Sequence, residues 1–265
     1  DRRDLHSFPT LRSSDLEIFK VQDRKDFGDA VMLRLRSKNQ LLTIQPGQFA
    51  NVQVDGSSKT YLRRPISIHD VDDANNELCL LIQKVGEGTK RLAELKYGDK
   101  VNLVYPLGTG YTMPAPNDRV LLVGGGIGIA PLYYFAKMLK KKGVHPTMLL
   151  GGKSKDTLLR LADYEKQGEV FVTTEDGTLG EKGFVTAHSM WKDHEFDKIY
   201  VCGPKPMMQA VAAIAKEKKI WCEVSLENRM ACGIGACLCC VEDTVDGNVC
   251  VCKEGPVFNI DRLKW

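Results

Sequence analysis

Six of the nine cysteines lie within residues 229–258, and three of them follow the spacing C-x4-C-x2-C. These three are Cys232, Cys237 and Cys240, and a fourth thiol follows at Cys250 or Cys252. This is the plant-type spacing for a [2Fe–2S] cluster, in which four cysteine thiolates hold two irons. The sequence therefore predicts a two-iron cluster on a short loop near the end of the chain.

The residues between the first two thiols suit a loop that wraps around such a cluster. Gly233 and Gly235 permit positive backbone φ angles, which bring amide donors toward cluster sulfurs. Structural zinc is the alternative, but zinc sites prefer two C-x2-C pairs, and here only Cys237 and Cys240 form one. Cys239 fits neither pattern, and we expect it to point away.

Two earlier segments have residues that could bind a flavin. In R-R-P-I-S-I, Arg64 can meet a phosphate and Ser67 can reach a ring nitrogen, while Pro65 fixes the backbone at a strand end. In G-E-G-T, Thr89 begins a helix whose free amides attract a pyrophosphate. Each segment alone is also compatible with an edge strand or a capped turn, but together they favour a flavin site.

The segment V-L-L-V-G-G-G-I-G-I-A-P follows a predicted strand and opens a helix, as phosphate-binding turns do. Its glycines depart from the strict G-x-G-x-x-G pattern, and no ribose-binding acid follows about 20 residues later. Cys202 and Gly203 end a later strand, where a nicotinamide could lie. Lys153 and Ser154 could tolerate a 2′-phosphate, so the residues leave NAD and NADP open.

The elements around these motifs change character along the chain. Short alternating strands with turn signals over residues 17–112 predict an antiparallel β-barrel interrupted by one helix. After a Pro-rich link, buried strands alternating with amphipathic helices over residues 113–220 predict an open, parallel nucleotide-binding sheet. Residues 221–265 would form a small cluster subdomain, and the polar, aperiodic residues 1–16 a non-native or disordered tail.

Composition excludes several classes of protein. The 265 residues are 43% hydrophobic with a net charge of +3, which is too mild and too scattered to indicate nucleic acid binding. No apolar run is long enough for a membrane span. The thiols are clustered rather than spread, which favours metal ligation over disulfides. We therefore expect a cytoplasmic protein that binds neither membranes nor nucleic acids.

Together these motifs resemble the ferredoxin–NADP reductase superfamily. The tail M-A-C-G-I-G-A-C-L-C-C-V-E, with C-K-E-G-P-V-F after it, is similar to the electron-transfer subunits of NAD-dependent, heteromeric dihydroorotate dehydrogenases. The resemblance covers residues 17 to about 260. It implies FAD, a [2Fe–2S] cluster and NAD as cofactors.

The resemblance also implies roles for individual residues. It selects Cys252 over Cys250 as the fourth ligand, because Cys252 directly precedes K-E-G-P-V-F. It places Glu227 near the flavin ring. The implied ligands are Cys232, Cys237, Cys240 and Cys252, and the implied flavin and nucleotide residues are Arg64, Pro65, Ile66, Ser67, Leu81, Ile82, Gln83, Gly88, Thr89, Gly124, Gly126, Gly128, Cys202 and Gly203.

The family relationship implies a relay in pyrimidine (UMP) biosynthesis. A separate FMN-containing subunit would oxidise dihydroorotate, and electrons would cross the cluster and FAD of this chain to NAD⁺. The expected assembly is a heterotetramer with two subunits of each kind, docked around residues 230–252. The alternatives are a related ferredoxin–NADP reductase or sulfide dehydrogenase subunit, against which Cys232 argues, and a non-catalytic metal-binding scaffold.

Overall fold

The computed structural model describes residues 15–265. Most of the predicted tail, residues 1–14, lies outside the described residues. The first strand begins at Asp15, and Asp15 and Leu16 pair with Tyr105 and Val104. These two residues therefore belong to the barrel rather than to the tail.

Six antiparallel strands close into a barrel in the order β1-β2-β5-β4-β3-β6. Inward-facing aliphatic side chains alternate with outward-facing polar ones, as the sequence pattern requires. A short helix, α1, lies between the fifth and sixth strands in the sequence. The elements are β1 (Asp15–Asp26), β2 (Ala30–Arg36), β3 (Phe49–Val52), β4 (Arg64–Asp72), β5 (Glu77–Gln83), α1 (Glu87–Ala93) and β6 (Lys100–Leu107).

The second part of the chain is a seven-stranded sheet in the order β10-β9-β8-β7-β11-β12-β15. All neighbouring strands are parallel except β15, which runs antiparallel to β12. The elements are β7 (Val120–Gly125), α2 (Ala130–Lys141), β8 (Thr147–Gly152), α3 (Leu161–Glu165), β9 (Glu169–Thr174), β10 (Glu181–Lys182), α4 (Met190–Asp193), β11 (Lys198–Cys202), α5 (Lys205–Glu217), β12 (Trp221–Ser225), β13 (Val241–Thr244), β14 (Gly247–Cys250), α6 (Val251–Glu254) and β15 (Val257–Asn259).

The cysteine-rich segment is bound into this sheet at both ends. β12 precedes it and β15 follows it, so two strands assigned from sequence to the cluster subdomain are part of the nucleotide-binding sheet. Between them, β13 and β14 form a small hairpin of their own. Cys240, Cys252 and Val251 share one apolar core with the strands of the large sheet. The loop that carries the thiols is therefore anchored to the packed core of the large sheet.

The predicted combination of an antiparallel barrel, a parallel sheet with helices and a C-terminal cysteine segment is confirmed. Both amphipathic helices predicted in the second part, α2 and α5, are present. Within residues 15–265, none of the helices has the length and apolarity to cross a bilayer.

Candidate functional site

The four predicted ligand cysteines meet in two pairs. The thiol of Cys232 lies beside that of Cys237, and the thiol of Cys240 lies beside that of Cys252. The backbone amide of Cys252 also donates to Cys240 Sγ over 3.3 Å. Cys240 and Cys252 are buried, whereas Cys237 is exposed.

Backbone amides of the loop point at these sulfurs. The amides of Ile234 and Ala236 donate to Cys232 Sγ over 3.4 and 3.3 Å, and the amide of Gly235 donates to Cys252 Sγ over 3.1 Å. Donors around a sulfur stabilise negative charge there. Although burial opposes ionisation, the amide of Ile234 and the neighbouring Cys237 thiol lower the pKa of Cys232 to about 6.

The loop adopts an unusual backbone to reach this arrangement. Gly233 and Gly235 have φ angles of 74° and 83°, as predicted from their position between the ligands. Leu238 also has a positive φ, 56°, which is uncommon for a side chain of this size and costs on the order of 1 kcal/mol or more. Such a conformation turns the chain sharply between Cys237 and Cys240.

This arrangement of donors suits a two-iron cluster better than a single ion. A [2Fe–2S] cluster has two thiolates on each iron, so its ligands form two pairs rather than one convergent set. The two observed sulfur pairs and the amides that point at them fit that requirement.

A cleft of about 370 Å³ opens where two barrel strands separate. β4 and β5 pair from Ile68 and Leu80 to Asp72 and Glu77, and the cleft lies beyond the end of that pairing. Most of the segments predicted for flavin border it. They contribute Pro65, Ile66, Ser67, Leu81, Gln83 and Thr89.

Ile82 does not line this cleft. Its side chain is buried in the barrel core, whereas those of Leu81 and Gln83 line the cleft. Alternation along a strand accounts for Ile82, because neighbouring side chains point to opposite faces. The side chain of Ile82 therefore contributes to the packing of the barrel.

Arg64 and Gly88 lie together at one end of the flavin segments. A Cβ on Gly88 would come within 2.7 Å of Arg64 Nε, so a larger residue there would push the guanidinium group aside. Thr89 Oγ1 accepts hydrogen bonds from the amides of Val85 and Gly86, both over 3.1 Å. The Thr89 hydroxyl therefore holds its own turn, which presents the start of α1 beside the guanidinium group.

Cys202 and Glu227 form the far wall of the same cleft. Their Sγ and Oε1 atoms are 4.0 Å apart, and Cys202 is almost fully buried. Burial raises the pKa of Glu227 above its ordinary value. Burial, and after it the neighbouring Glu227 carboxylate, raises the pKa of the Cys202 thiol well above its ordinary value. Cys202 is thus a neutral wall residue, and Glu227 keeps a proton to higher pH than an exposed glutamate.

A second cleft, of about 490 Å³, adjoins the first. Both are bordered by Gln83 and Ile127. The second cleft runs along the carboxyl ends of β7, β8 and β9, where open α/β sheets bind their ligands. Its lining includes Gly125, Gly126, Gly151, Gly152, Lys153 and Glu175.

Of the glycines predicted to bind a dinucleotide, only Gly126 lines this second cleft. Gly124 and Gly128 serve instead to let the turn after β7 pack closely. A Cβ on Gly124 would lie 2.8 Å from the Ile129 side chain, and one on Gly128 would lie 2.5 Å from the Cys202 carbonyl oxygen. Gly203 likewise leaves room for Gly125, whose amide nitrogen would be 3.1 Å from an added Cβ.

Several lining residues were not predicted from sequence. Phe49, Ser225, Asn228, Met230 and Pro256 border the first cleft. They come from three separate stretches of chain, and only the three-dimensional packing brings these stretches together. Glu175, which directly follows β9, also borders the second cleft, well beyond the stretch in which a ribose-binding acid was sought.

Three family models match consecutive parts of the chain. The oxidoreductase FAD-binding domain matches residues 20–111, and the oxidoreductase NAD-binding domain matches residues 122–213. The iron–sulfur cluster binding domain of dihydroorotate dehydrogenase B matches residues 227–264. These matches cover the barrel with the first cleft, the sheet with the second cleft, and the cysteine loop.

Curated relatives match most of the chain. The dihydroorotate dehydrogenase B (NAD(+)) electron transfer subunit of Fusobacterium nucleatum subsp. nucleatum is 42% identical over 221 residues, which span 80% of this chain and 84% of that protein. The protein of the same name from Shouchella clausii is 40% identical over 225 residues, spanning 83% and 86% of the two chains.

Solved structures share the fold. A chain of the NADH-dependent reduced ferredoxin-NADP oxidoreductase, studied for flavin-based electron bifurcation, superposes with a TM-score of 0.84 at 29% identity and covers 93% of this chain and 90% of that one. The ferredoxin reductase of carbazole 1,9a-dioxygenase superposes with a TM-score of 0.66 at 20% identity, covering 78% and 67%, and shows the fold alone.

Proposed function

Because this chain belongs to the family of electron transfer subunits of dihydroorotate dehydrogenase B (NAD(+)), we propose that it receives electrons from a separate dihydroorotate-oxidising subunit and delivers them to NAD⁺. The chain is an oxidoreductase subunit with FAD-, NAD- and iron–sulfur-binding domains, as the sequence resemblance implied. The proposed route runs through a [2Fe–2S] cluster and then FAD.

The cofactors supply the redox chemistry: FAD exchanges electrons singly with a cluster and in pairs, as hydride, with a nicotinamide. The protein residues bind and orient these groups. In our proposal Cys232 and Cys237 hold one iron, and Cys240 and Cys252 hold the other. The loop amides that donate to Cys232 and Cys252 offset the negative charge of the cluster.

We assign the first cleft to the flavin ring and the second to the dinucleotide. Ser67 and Gln83 border the first cleft and offer polar atoms to a ring, while the Arg64 guanidinium beside Gly88 is placed for a phosphate. The two clefts meet at Gln83 and Ile127, so a nicotinamide entering from the second can reach the flavin. Lys153 and Glu175 lie in the part of the second cleft that we assign to the adenosine half.

We propose that an FMN-containing catalytic subunit docks on the loop around residues 230–252, in a heterotetramer with two subunits of each kind. Ile234 and Leu238 are 58% and 66% exposed beside the ligand thiols, and such apolar side chains are typical of an interface core. All nine cysteines are free thiols, which supports a reducing, cytoplasmic setting. Neither a membrane nor nucleic acid is required.

One observation carries the proposed order of electron transfer. The cysteine loop packs against the barrel at the strand that borders the first cleft: the Cys232 carbonyl accepts a hydrogen bond from Asn51 over 3.0 Å, and Phe49 of the same strand lines the cleft. A cluster on this loop would thus be separated from a flavin in the cleft by a few packed side chains.

The test compares Cys240→Ser with Cys239→Ser in anaerobically purified protein. Cys240→Ser should lose the visible and EPR signals of the cluster but retain FAD and the reduction of an artificial dye by NADH, because NADH reaches the flavin without the cluster. Cys239→Ser should retain all three. If Cys240→Ser lost dye reduction together with the cluster while FAD stayed bound, the proposed order would be wrong. Wild-type protein containing zinc and no flavin would favour a scaffold.

The likeness to the NADH-dependent ferredoxin-NADP oxidoreductase chain, with a TM-score of 0.84, supports a second candidate function. In that function the chain exchanges electrons with ferredoxin instead of a dihydroorotate-oxidising subunit. Electron exchange with NAD(H) is measured after adding either the catalytic subunit with dihydroorotate or ferredoxin, which separates the two. A dihydroorotate dehydrogenase subunit should use NADH and couple to dihydroorotate when the catalytic subunit is added. Coupling to ferredoxin and not to dihydroorotate would favour the second candidate.

A further inference from the structure

Asn51 is a buried amide that faces the cysteine loop from the barrel. It lies on β3, and its side chain is 1% exposed. Ala50 and Val52, on either side of it, belong to the barrel core. Because side chains alternate along a strand, Asn51 points out of the barrel on the same face as Phe49, which packs in the apolar core that contains Cys240 and Cys252.

The amide of Asn51 makes a specific contact with the first ligand residue. Asn51 Nδ2 donates to the carbonyl oxygen of Cys232 over 3.0 Å, although the two residues are 181 positions apart in the chain. The fit is tight, because a Cβ on Gly233 would lie 2.7 Å from Asn51 Nδ2. The Cys232–Gly233 peptide is therefore held in one orientation against the barrel.

This orientation affects the sulfur as well as the carbonyl. The peptide is planar and trans, so its N–H group points away from Asn51 when its C=O group points toward it. The next amides along the loop, those of Ile234 and Ala236, donate to Cys232 Sγ. A change in the Cys232–Gly233 peptide would disturb these donors, because they follow it directly in the chain.

Asn51 also stands directly beside the flavin segment. In the pairing of β3 with β4, Asn51 is opposite Pro65 and Phe49 is opposite Ser67, and Pro65, Ser67 and Phe49 all border the first cleft. One side chain thus joins the strand at the flavin cleft to the first residue of the cluster loop. Its Oδ1 atom is buried and has no hydrogen-bond partner in the described part of the chain, so burial of this amide is costly. The contact with Cys232 offsets part of that cost.

We propose that Asn51 is a positioning residue for electron transfer between the cluster and FAD. Its hydrogen bond to Cys232 fixes the cluster loop on the strand that borders the flavin cleft, and it thereby sets the separation of the two cofactors and the amide environment of the first ligand sulfur. This inference rests on the proposed function, because it requires a cluster on the four thiols and a flavin in the first cleft.

The experiment uses the complete chain with its cofactors, in the variants Asn51→Asp and Asn51→Leu. Aspartate keeps the shape of asparagine but cannot donate to the carbonyl when ionised, and it adds a negative charge near the cluster. Leucine keeps the approximate volume and removes both polar atoms. Gln53→Leu is the matched control, because Gln53 is an amide on the same segment whose Nε2 donates to Asp55 and not to the cysteine loop.

For each variant we would measure iron and FAD per chain, dye reduction by NADH, the EPR spectrum and midpoint potential of the cluster, and the rate at which NADH reduces the cluster in stopped flow. Both Asn51 variants should bind FAD and reduce dye like the wild type. Their cluster retention or cluster reduction rate should fall about 10- to 100-fold, as when other hydrogen-bonded partners of metal ligands are removed. Asn51→Asp should also shift the midpoint potential downward, because added negative charge favours the oxidised cluster.

Unchanged iron content, EPR spectrum, midpoint potential and cluster reduction rate in both variants would overturn the inference. So would loss of FAD together with iron in both variants, because Asn51 would then support the barrel as a whole. A similar loss in Gln53→Leu would show that any amide on this segment has the same effect. Failure of the proposed function is seen separately, as wild-type protein that contains no iron–sulfur cluster.

Discussion

The two sulfurs that could serve as the fourth ligand differ in their surroundings. Cys252 Sγ accepts a hydrogen bond from the amide of Gly235 over 3.1 Å, and the amide of Cys252 donates to Cys240 Sγ over 3.3 Å. Cys250 ends β14, where it pairs with Val241 across the small hairpin. The spacing alone left both residues possible, and the family resemblance selected Cys252. The contacts of Cys252 support that assignment.

We expect Cys252→Ala to abolish the cluster and Cys250→Ala to preserve it. Alanine provides no ligand atom, so one iron of the cluster would lose half of its protein ligands. Iron per chain and the EPR spectrum of the reduced protein measure the outcome. A Cys250→Ala protein without a cluster, beside a Cys252→Ala protein that retains one, would reverse the assignment.

At this scale the sequence predicted residue types better than orientations. Cys232, Cys237 and Cys240 could be identified because their spacing alone specifies a chemistry. The inward orientation of Ile82 follows from strand alternation but requires knowing which face of β5 is inside the barrel. The contact between Asn51 and Cys232 could not be foreseen, because no local pattern links residues 181 positions apart.

Among the elements, the turn after β7 depends on its contact with the end of β11. Gly128 sits where an added Cβ would lie 2.5 Å from both the Cys202 carbonyl oxygen and Gly203 Cα. Both atoms belong to the backbone, so neither can rotate away. The turn and the strand end can therefore keep their positions only if residue 128 has no side chain.

Gly128→Ala should destabilise the protein by roughly 1–3 kcal/mol and raise the KM for NADH, because the turn must move away from Cys202. Gly143→Ala is the matched control: its Cβ would meet nothing within 4 Å, its φ of 80° costs about 1–2 kcal/mol, and it lines neither cleft. Chemical unfolding and steady-state dye reduction measure the two effects. If Gly128→Ala kept the wild-type KM while its stability fell, the turn would not position the dinucleotide.

The elements also show why the sequence-based division of the chain was incomplete. Sequence analysis placed β12 in the cluster subdomain, because nothing in its sequence indicates which sheet it joins. Its pairing with β11 and with β15 depends on the return of the chain after the cysteine loop. The pattern of apolar residues thus predicted the barrel and the alternation of strands and helices after it, whereas the position of the last strands depends on long-range packing.

For the whole molecule, the barrel and the sheet are joined by a buried histidine. His69 lies on β4, and its Nδ1–H group donates to the Ala130 carbonyl over 2.7 Å. Arg160, which precedes α3, donates to Nε2, so His69 must be neutral with its proton on Nδ1. Burial, and after it the charge of Arg160, lowers the pKa of His69 to about 3. Ala130 also borders the first cleft, so this junction supports the flavin site.

The junction should weaken in acid. A histidine whose pKa is lower in the folded than in the unfolded chain contributes stability that is fully present above the unfolded value of about 6.5 and is lost as the pH falls toward 3. Between pH 6.5 and pH 5 this residue should cost about 1.5 kcal/mol of unfolding free energy. His69→Gln should be less stable than wild type at pH 7.5, with the difference shrinking toward pH 5. A difference that stays constant with pH would show that His69 does not titrate in this way.

Exposed apolar side chains lie on the cysteine segment, where we expect the catalytic subunit to dock. Leu238 and Val241 are 66% and 38% exposed beside the ligand thiols, and electrons arriving from another subunit must enter near the cluster. Burial of an unpaired carboxylate in an apolar contact costs at least about 2 kcal/mol, so a glutamate there should weaken binding of the catalytic subunit about 30-fold or more. We therefore expect Leu238→Glu and Val241→Glu to keep FAD, iron and dye reduction but to lose dihydroorotate-dependent reduction of NAD⁺ and co-elution with the partner.

Tyr97→Glu, at a 73% exposed position on the barrel, should assemble normally. Co-elution of both loop variants at wild-type affinity would place the docking surface elsewhere, and electrons would then have to reach the flavin by a path that bypasses this loop.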